Sequence, residues 1–167
     1  MKEWNKPGSL LHKPADSAEL KAWVGTGCAN LAASEATHGP ISGWDTSAVT
    51  DMKQLFYNCA TFNGDVSAWN VGRVTDMSRL FRGARAFNQG LAGWATGKVT
   101  NMAAMFREAS SFNQPLTFSD TSKVTTMFQL FWKASRFNQP LALDTSSVTQ
   151  MQSMFYSATD FNQPLAL

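Results

Sequence analysis

The stretch Val49-Thr50-Asp51-Met52 decides the fold of this 167-residue chain because the sequence repeats it four more times. The later copies are Val74-Thr75-Asp76-Met77, Val99-Thr100-Asn101-Met102, Val124-Thr125-Thr126-Met127 and Val148-Thr149-Gln150-Met151. The first four copies are 25 residues apart, and the last follows after 24. Periods of roughly 20–50 residues are typical of solenoids, in which each unit buries its apolar side against its neighbours. The repeat therefore predicts a stacked array.

Each repeat carries apolar residues at fixed distances after its valine. In the first repeat these are Met52, Leu55, Phe56 and Cys59, and later repeats hold methionine, leucine, phenylalanine or alanine at the same positions. Such spacings place side chains on one face of a helix, so we predict a short amphipathic helix over about 50–60 and its equivalents. A threonine column is expected to cap these helices and to form a structural ladder. It consists of Thr50, Thr75, Thr100, Thr125 and Thr149.

A Phe-Asn pair follows each predicted helix, and its asparagine is expected to form a second ladder. Identical asparagines one layer apart can satisfy backbone groups of their own turn and of the next. This column consists of Asn63, Asn88, Asn113, Asn138 and Asn162. An aliphatic residue three positions later starts a short extended segment, often after a proline, which fits the start of a strand because it donates no ladder hydrogen bond. Trp44, Trp69 and Trp94 close this segment and are expected in the core, with a sugar-stacking platform as the alternative.

Together these elements predict an α/β fold with one short parallel strand and one short helix in each turn of about 25 residues. This layout is a leucine-rich-repeat-like, right-handed solenoid. Residues 41–167 would hold five repeats and the start of a sixth unit. Residues 1–40 break the pattern and are predicted to form an N-terminal helical capping segment, with a helix near 16–24 that Asp16 or Ser17 caps.

Composition limits the classes of function. The hydrophobic fraction of 44% and the charged fraction of 16% describe a folded protein, and a net charge of +2 gives no general case for nucleic acid. No apolar run approaches the roughly 20 residues that span a bilayer. The two cysteines, Cys28 and Cys59, are expected to be buried thiols rather than a disulfide framework, although their pairing stays open. The first residues lack the apolar core of a signal peptide, which keeps a cytoplasmic location open.

No catalytic constellation is visible in the sequence. It contains no glycine-rich phosphate loop, no plausible Ser/His/Asp set and no unusual pair of carboxylates. His12 and His38 have no carboxylate or cysteine at ligand spacing. The methionines of the repeats fall in inward columns, where methionine is an ordinary gap-filler. We therefore expect no enzymatic activity, no cofactor and no metal site.

Basic residues are the strongest candidates for partner binding. Arg73, Lys98 and Lys123 occupy one column of successive repeats, about 5 Å apart if stacked at strand spacing. Like charges held that close repel each other, so the stack gains nothing from them. Four more candidates lie nearby in the chain, at Arg79, Arg82, Arg85 and Arg107. The pattern predicts either a solvated rim or a patch for an acidic protein or a sulfated polysaccharide. Nucleic acid is disfavoured because no aromatic residues are clearly interleaved with these charges.

The string Trp-Asp-Thr-Ser-x-Val-Thr-Asp-Met-x-x-Leu-Phe begins at Trp44, and Phe-Asn-Gln-Pro-Leu follows in later repeats. Both resemble the BspA-type leucine-rich-repeat surface proteins. The similarity covers 41–167 and is closest to the branch whose repeat, of the same length, also occurs in mycoplasma lipoproteins and in algal proteins. The resemblance implies an extracellular or surface-anchored solenoid used for adhesion and protein contacts, without enzymatic activity or shared catalytic residues.

The leading hypothesis for function is a non-enzymatic adhesion or interaction module at the cell surface. It would bind a protein or glycan partner along its repeated face. An alternative is a structural element that forms a homo-oligomer through an uncapped C-terminal repeat, since an open solenoid end exposes apolar surface and strand edges. A less favoured alternative is ice binding by the threonine ladder, because regular threonine rows can order water.

Overall fold

The computed structural model describes residues 12–166, and regular secondary structure lies near the two ends of that range. Helices α1 (Ser17–Val24) and α2 (Leu31–His38) come first, with 3-10 turns at Thr26–Cys28 and Ile41–Gly43. Strands β1 (Leu141–Ala142) and β2 (Leu165–Ala166) come last. Between them the chain forms turns and irregular segments that stack at the repeat period. Part of the predicted cap, residues 1–11, and the last residue of the predicted sixth unit lie outside the described residues.

The helix predicted for each repeat is wrong, since 44–166 contains no helix. Residues 52–59 of the first repeat instead form consecutive tight turns. The amides of Leu55, Tyr57 and Cys59 each donate to the carbonyl three residues back, at 3.1–3.2 Å. The intervening amides, of Met52, Gln54, Phe56 and Asn58, donate to carbonyls of the next repeat at 2.7–3.0 Å. Every amide of the segment therefore has a partner, alternately within its own turn and one layer away.

This alternation explains why a helix does not form. An α-helix uses each amide for the carbonyl four residues back, whereas here a copy of the same segment lies one layer away and accepts every second amide. Two residues in each repeat adopt positive φ, as Gln54 does at 60° and Asn58 at 57°. That conformation fits the third position of a type II turn and interrupts a helix. Apolar spacings of three and four residues suit such turns as well as a helix, so spacing alone does not distinguish them.

Two columns of phenylalanine fill the core of the array. Rings of the first column, Phe56, Phe81, Phe106, Phe131 and Phe155, lie 5.4–5.7 Å from the next ring. Rings of the second column, Phe62, Phe87, Phe112, Phe137 and Phe161, lie 5.9 Å apart. The two rings of one repeat stack at 3.9–4.2 Å. Because each ring contacts its own repeat and its neighbours, no repeat buries its apolar side alone.

The predicted asparagine ladder is confirmed. The backbone amide of each asparagine donates at 2.9 Å to the side-chain oxygen of the asparagine one repeat earlier; the donors are Asn88, Asn113, Asn138 and Asn162. The glutamine that follows three of them donates to the same oxygen at 3.0–3.2 Å, in Gln114, Gln139 and Gln163. One side-chain oxygen thus satisfies two donors of the next layer.

The threonine column forms hydrogen bonds along the outside of the array. Each threonine from Thr75 onward donates its amide, at 2.8–2.9 Å, to the carbonyl of the threonine one repeat earlier. Its hydroxyl donates to the same carbonyl at 3.1–3.3 Å. The helix-capping role predicted for these hydroxyls is wrong because no helix starts there.

Within residues 12–166, the two assigned strands lie in the later repeats. Strands β1 and β2 are parallel, with Leu141 opposite Leu165, and an isolated bridge joins Leu116 to Leu141. At the first equivalent position the chain forms the 3-10 turn Ile41–Gly43 instead. The prediction of one strand in every repeat is therefore wrong. A second series of isolated parallel bridges links the turn segments, through Asp51, Asp76, Asn101, Thr126 and Gln150.

The tryptophan column is buried, as predicted for core residues. Trp44 and Trp69 are each 3% exposed, and Trp94 is 1% exposed. Each indole N–H donates to a backbone carbonyl at 2.9–3.1 Å, which satisfies its polar end inside the core. The alternative of a sugar-stacking platform at these residues is wrong because their rings are covered.

The N-terminal helices contact the first repeat. The predicted helix is present as α1, and the Asp16 carboxylate accepts from the amide of Glu19 at 2.9 Å as its cap. The hydroxyl oxygen of Ser17 accepts from the amides of Thr50 and Asp51, each at 3.0 Å. Later threonine amides donate instead to the preceding repeat. Ser17 therefore takes the place that a preceding repeat would occupy.

A disulfide joins this N-terminal segment to the array, so the expectation of two buried thiols is wrong. Cys28 and Cys59 are bonded, with their Cα atoms 5.3 Å apart. The 3-10 turn that contains Cys28 brings it against the first turn segment, within the distance that a disulfide spans. The cysteines are 31 residues apart in the chain, and nothing in that spacing indicates their proximity.

Candidate functional site

The structure separates the seven basic residues that the sequence singles out. Three of them, Arg79, Arg82 and Arg107, line one surface cavity together with Lys53. Arg73, Lys98 and Lys123 are exposed and lie outside that cavity; we call them the basic row. Arg85 is also exposed and outside it. The candidate site is therefore the cavity. Three of its cations are among the predicted residues, and Lys53 is not.

We call this feature the basic cavity. Its volume is about 260 Å³. Its polar and aromatic wall consists of Lys53, Arg79, Arg82, Arg107, Phe128 and Gln129, and its remaining lining consists of Ser78, Asn101, Ala103 and Ala104. Four consecutive repeats contribute to it, so only the stacked array forms this site.

Small side chains in two adjacent repeats open the cavity. One column of the turn segments reads Lys53, Ser78, Ala103 and Phe128 from the first repeat to the fourth. The serine and the alanine leave a gap between the longer side chains of the lysine and the phenylalanine. This arrangement becomes apparent when equivalent positions of successive repeats are compared.

The cavity carries a concentration of positive charge. Among the described residues, no carboxylate belongs to its lining. Arg107 pairs with Glu108 at 3.2 Å and also donates to the side-chain oxygen of Gln129. Within residues 12–166, Lys53, Arg79 and Arg82 form no ion pair. Three of the four cations are thus available to an anionic ligand.

Arg82 has an unsatisfied hydrogen-bond donor. Its Nε atom is buried and has no hydrogen-bond partner among the described residues. Its guanidinium lies over the ring of Tyr57, 5.3 Å from the ring centre. Buried donors in native proteins are almost always paired, so this one is an exception among the residues that line the cavity.

Aromatic residues flank the two arginines in one column of the turn segments. From the first repeat to the fifth the column reads Tyr57, Arg82, Arg107, Trp132 and Tyr156. The guanidinium of Arg107 lies 4.0 Å from the centre of the Trp132 ring, and the Lys133 ammonium lies 4.3 Å from it. The rings of Trp132 and Tyr156 stack at 5.7 Å. The order is hidden along the chain because each repeat supplies one member.

Four aspartates outside the cavity occupy tight turns. In each, a carboxylate oxygen accepts from the amide of the serine two residues later at 2.8–2.9 Å. Hydrogen bonds from Ser47 and Ser146, first of all from the serine side chains, lower the pKa of Asp45 and Asp144. Hydrogen bonds from Ser67 and Ser122, first of all from the backbone, lower the pKa of Asp65 and Asp120. These carboxylates are therefore structural.

Two other concavities have different linings. One of about 340 Å³ lies between α2 and the first repeat and includes Leu31, Ile41 and Phe62. The other, of about 640 Å³, follows the extended segments near Leu116 and Leu141. Neither has a cationic side chain among the described residues of its lining. A further concavity of about 220 Å³ includes Lys21 and Lys53, and the basic cavity, with four cations, is the most cationic of the four.

Two other kinds of site are absent from the described residues. No helix within 12–166 is long and apolar enough to cross a membrane. In the same range no three residues among histidine, cysteine, aspartate and glutamate are grouped so that they could hold a metal ion.

Comparison with protein families identifies the class. The model of the family described as "Mycoplasma protein of unknown function, DUF285" matches residues 28–141 and again 116–167, and the chain belongs to this family. No curated protein and no solved structure matches the chain. Kinship with the BspA-type leucine-rich-repeat proteins stays a prediction.

Proposed function

We propose that this chain is a non-enzymatic interaction module that binds an anionic protein or glycan partner. The observation that carries the proposal is the basic cavity, where three cations that form no ion pair with any residue of 12–166 converge on one surface. Like charges held together cost stability, so their convergence in a stacked array favours a role in binding. An anionic partner would relieve that repulsion. The cavity is favoured over the basic row because its side chains surround a space that a ligand can enter.

We further propose that the array is a right-handed solenoid of the leucine-rich-repeat kind, related to BspA-type surface proteins. The period of 24–25 residues and the parallel bridges between successive repeats support this assignment. With this assignment we propose an extracellular or cell-surface location. The Cys28–Cys59 disulfide supports that location because such bonds persist mainly in oxidising compartments.

The repeats themselves supply substitutions that the fold already accommodates. The cavity variant combines Lys53→Ala, Arg79→Gln and Arg82→Tyr; the equivalent positions elsewhere hold Ala103, Gln54 and Tyr57. The control variant of the basic row combines Arg73→Ala, Lys98→Ala and Lys123→Ser; two equivalent positions hold Ala48 and Ser147. Both variants remove three positive charges, and they differ in the position from which the charge is removed.

The test is solid-phase capture of the chain by matrix proteins and by neutral and sulfated polysaccharides, at low and high salt. We expect capture by anionic ligands that weakens with salt, at least a tenfold loss in the cavity variant and less than a twofold loss in the row variant. Loss of capture in the row variant alone would place the binding site at Arg73, Lys98 and Lys123. Absence of capture by every anionic ligand would overturn the proposal.

The last described repeat favours self-association as a second candidate function. Phe155 and Phe161 are only partly buried, whereas Phe131 and Phe137 one repeat earlier are fully buried. Tyr156 is 59% exposed. A second copy of the chain would cover these rings. Light scattering over a range of concentrations tests this: a dimer that Phe161→Asp abolishes supports it, and a monomer at the highest concentration contradicts it.

Ice binding by the threonine column is a third and weaker candidate. The threonines are exposed in a regular row. However, the hydroxyl hydrogens from Thr75 onward are donated to backbone carbonyls, which leaves only acceptor lone pairs toward solvent. Unchanged ice-crystal shape in dilute protein would eliminate this candidate.

A further inference from the structure

We propose that the basic cavity is a site for a single sugar residue carrying a sulfate or phosphate ester. This inference rests on the proposed function and specifies its ligand. Either ester presents a tetrahedral group with several terminal oxygens, and that shared chemistry is what the cavity would recognise.

The volume of the cavity fits one such group. At about 260 Å³, the cavity is slightly smaller than the pockets of roughly 300–1,000 Å³ that hold drug-sized ligands. That space accommodates an oxyanion and part of its carrier ring. It is too small for a folded segment of a protein partner, which would contact the cavity only through single side chains.

The arrangement of cations favours an ester over a carboxylate. Guanidinium groups bind oxyanions through two parallel N–H donors, so Arg79 and Arg82 can each engage two oxygens. A carboxylate has only two oxygens, whereas a tetrahedral ester offers three terminal oxygens to the arginines and to Lys53. The Nε donor of Arg82 has no acceptor among the described residues.

The rim of the cavity favours a sugar as the carrier. Phe128 is 38% exposed there, and the adjacent wall contains Ala103 and Ala104. A sugar ring has an apolar C–H face that packs on such a surface, and its hydroxyls would reach Ser78 and Gln129 on the same lining. Phe128 thus selects the carrier, and the cations select the ester.

The aromatic rings in and beside the cavity argue against single-stranded nucleic acid as the ligand. Sequence-independent binding of single strands stacks successive bases on open aromatic rings. The Trp132 ring is already in contact with Arg107, Lys133 and Tyr156. Phe128 is then the one open ring in the lining. A single open ring can stack on one sugar residue, but it cannot stack on several successive bases.

Isothermal titration of the full chain tests the inference with galactose 6-sulfate, galactose 6-phosphate, galactose, inorganic sulfate, inorganic phosphate and a short single-stranded oligonucleotide. We expect at least one of the two esters to bind at least tenfold more tightly than galactose and than its own inorganic ion. The ester that binds more tightly distinguishes sulfate from phosphate. The cavity variant should lose at least tenfold in affinity, and the row variant should keep the wild-type affinity.

Phe128→Ala separates the contribution of the sugar from that of the anion, and Ala103 occupies the same column in the preceding repeat. We expect it to weaken ester binding at least threefold and to leave the affinity for the inorganic ion unchanged. Equal affinities for ester and inorganic ion would overturn the inference, as would stronger binding of the oligonucleotide to the cavity. Polysaccharide capture through the cavity without ester binding would overturn this inference and leave the proposed function standing. Absence of binding by every anion would overturn both.

Discussion

The side-chain oxygen of Asn88 accepts a 2.9 Å hydrogen bond from the backbone amide of Asn113, exactly one repeat further along the chain. The same contact occurs at every junction from Asn63 to Asn162. It fixes the position of each layer against the next at one corner of the array. The basic cavity depends on this alignment because its wall takes residues from four successive repeats.

The asparagine ladder predicts a position-dependent loss of stability. Asn113→Ala removes the acceptor used by the Asn138 amide and the Gln139 side chain. We expect the free energy of unfolding to fall by about 1–3 kcal/mol because partly buried donors lose their partner. Asn162→Ala is the matched control: within 12–166 the Asn162 side chain accepts no hydrogen bond, so the loss should be about 0.5 kcal/mol or less. Equal losses in urea denaturation would contradict the role of the ladder.

The geometry of the turn segments predicts that substitution of Gly83 lowers the stability of the protein. Its φ is 73°, and a Cβ atom there would lie 2.4 Å from the side-chain oxygen of Asn58 and 3.3 Å from its Cα. We expect Gly83→Ala to lower the midpoint of urea denaturation, at a cost of about 1–2 kcal/mol from the left-handed backbone alone. Gly90→Ala is the control because a Cβ there has open space and no positive φ. It should leave the midpoint unchanged or raise it; a comparable loss at both glycines would contradict this account.

The disulfide predicts a redox-dependent stability. Cys28 and Cys59 are 31 residues apart in the chain, and closing a loop of that length corresponds to about 3–4 kcal/mol in chain entropy. We expect a reducing agent to lower the midpoint of thermal unfolding of the wild-type protein. The double substitution Cys28→Ser with Cys59→Ser should show the lowered midpoint under both conditions. If reductant shifts the double variant as much as the wild type, the effect does not come from this bond.

The turn aspartates predict a loss of stability in acid. Hydrogen bonds from serine hold the pKa of Asp120 below its ordinary value of 3.8. Since the folded-state pKa is the lower one, the stabilisation is present above pH 3.8 and is lost as the pH falls through the folded-state pKa. Thermal unfolding should therefore occur at a lower temperature near pH 3 than near pH 6. Asp120→Asn should reduce this dependence, and a larger pH dependence in that variant would contradict the assignment.

The sequence predicts the period, the core columns and the asparagine ladder because each follows from side-chain type at a fixed spacing. It does not predict the turn segments. The spacing from Met52 to Cys59 suits a helix by periodicity, and only the competing acceptor one layer away, as for the Met52 amide and the Asp76 carbonyl, prevents it. That competition is a tertiary effect, which a single repeat does not contain.

The candidate site is predictable in part for a similar reason. Arg79, Arg82 and Arg107 stand out by charge along the chain, but Lys53 and Phe128 join them only when the repeats are compared by column. The Cys28–Cys59 bond has no signal of this kind, since Cys28 lies outside the repeats and reaches Cys59 through the packing of the N-terminal segment.

The most direct test of the central claim, that the array binds an anionic ligand through its basic cavity, is an amide NMR titration of the isotope-labelled chain with heparin. We predict the largest shifts at the amides of Ser78, Arg79 and Gln129, with small shifts at Arg73, Lys98 and Lys123. The cavity variant should lose these shifts, and the row variant should keep them. Shifts centred on the basic row, or spread evenly over the surface in both variants, would contradict the claim.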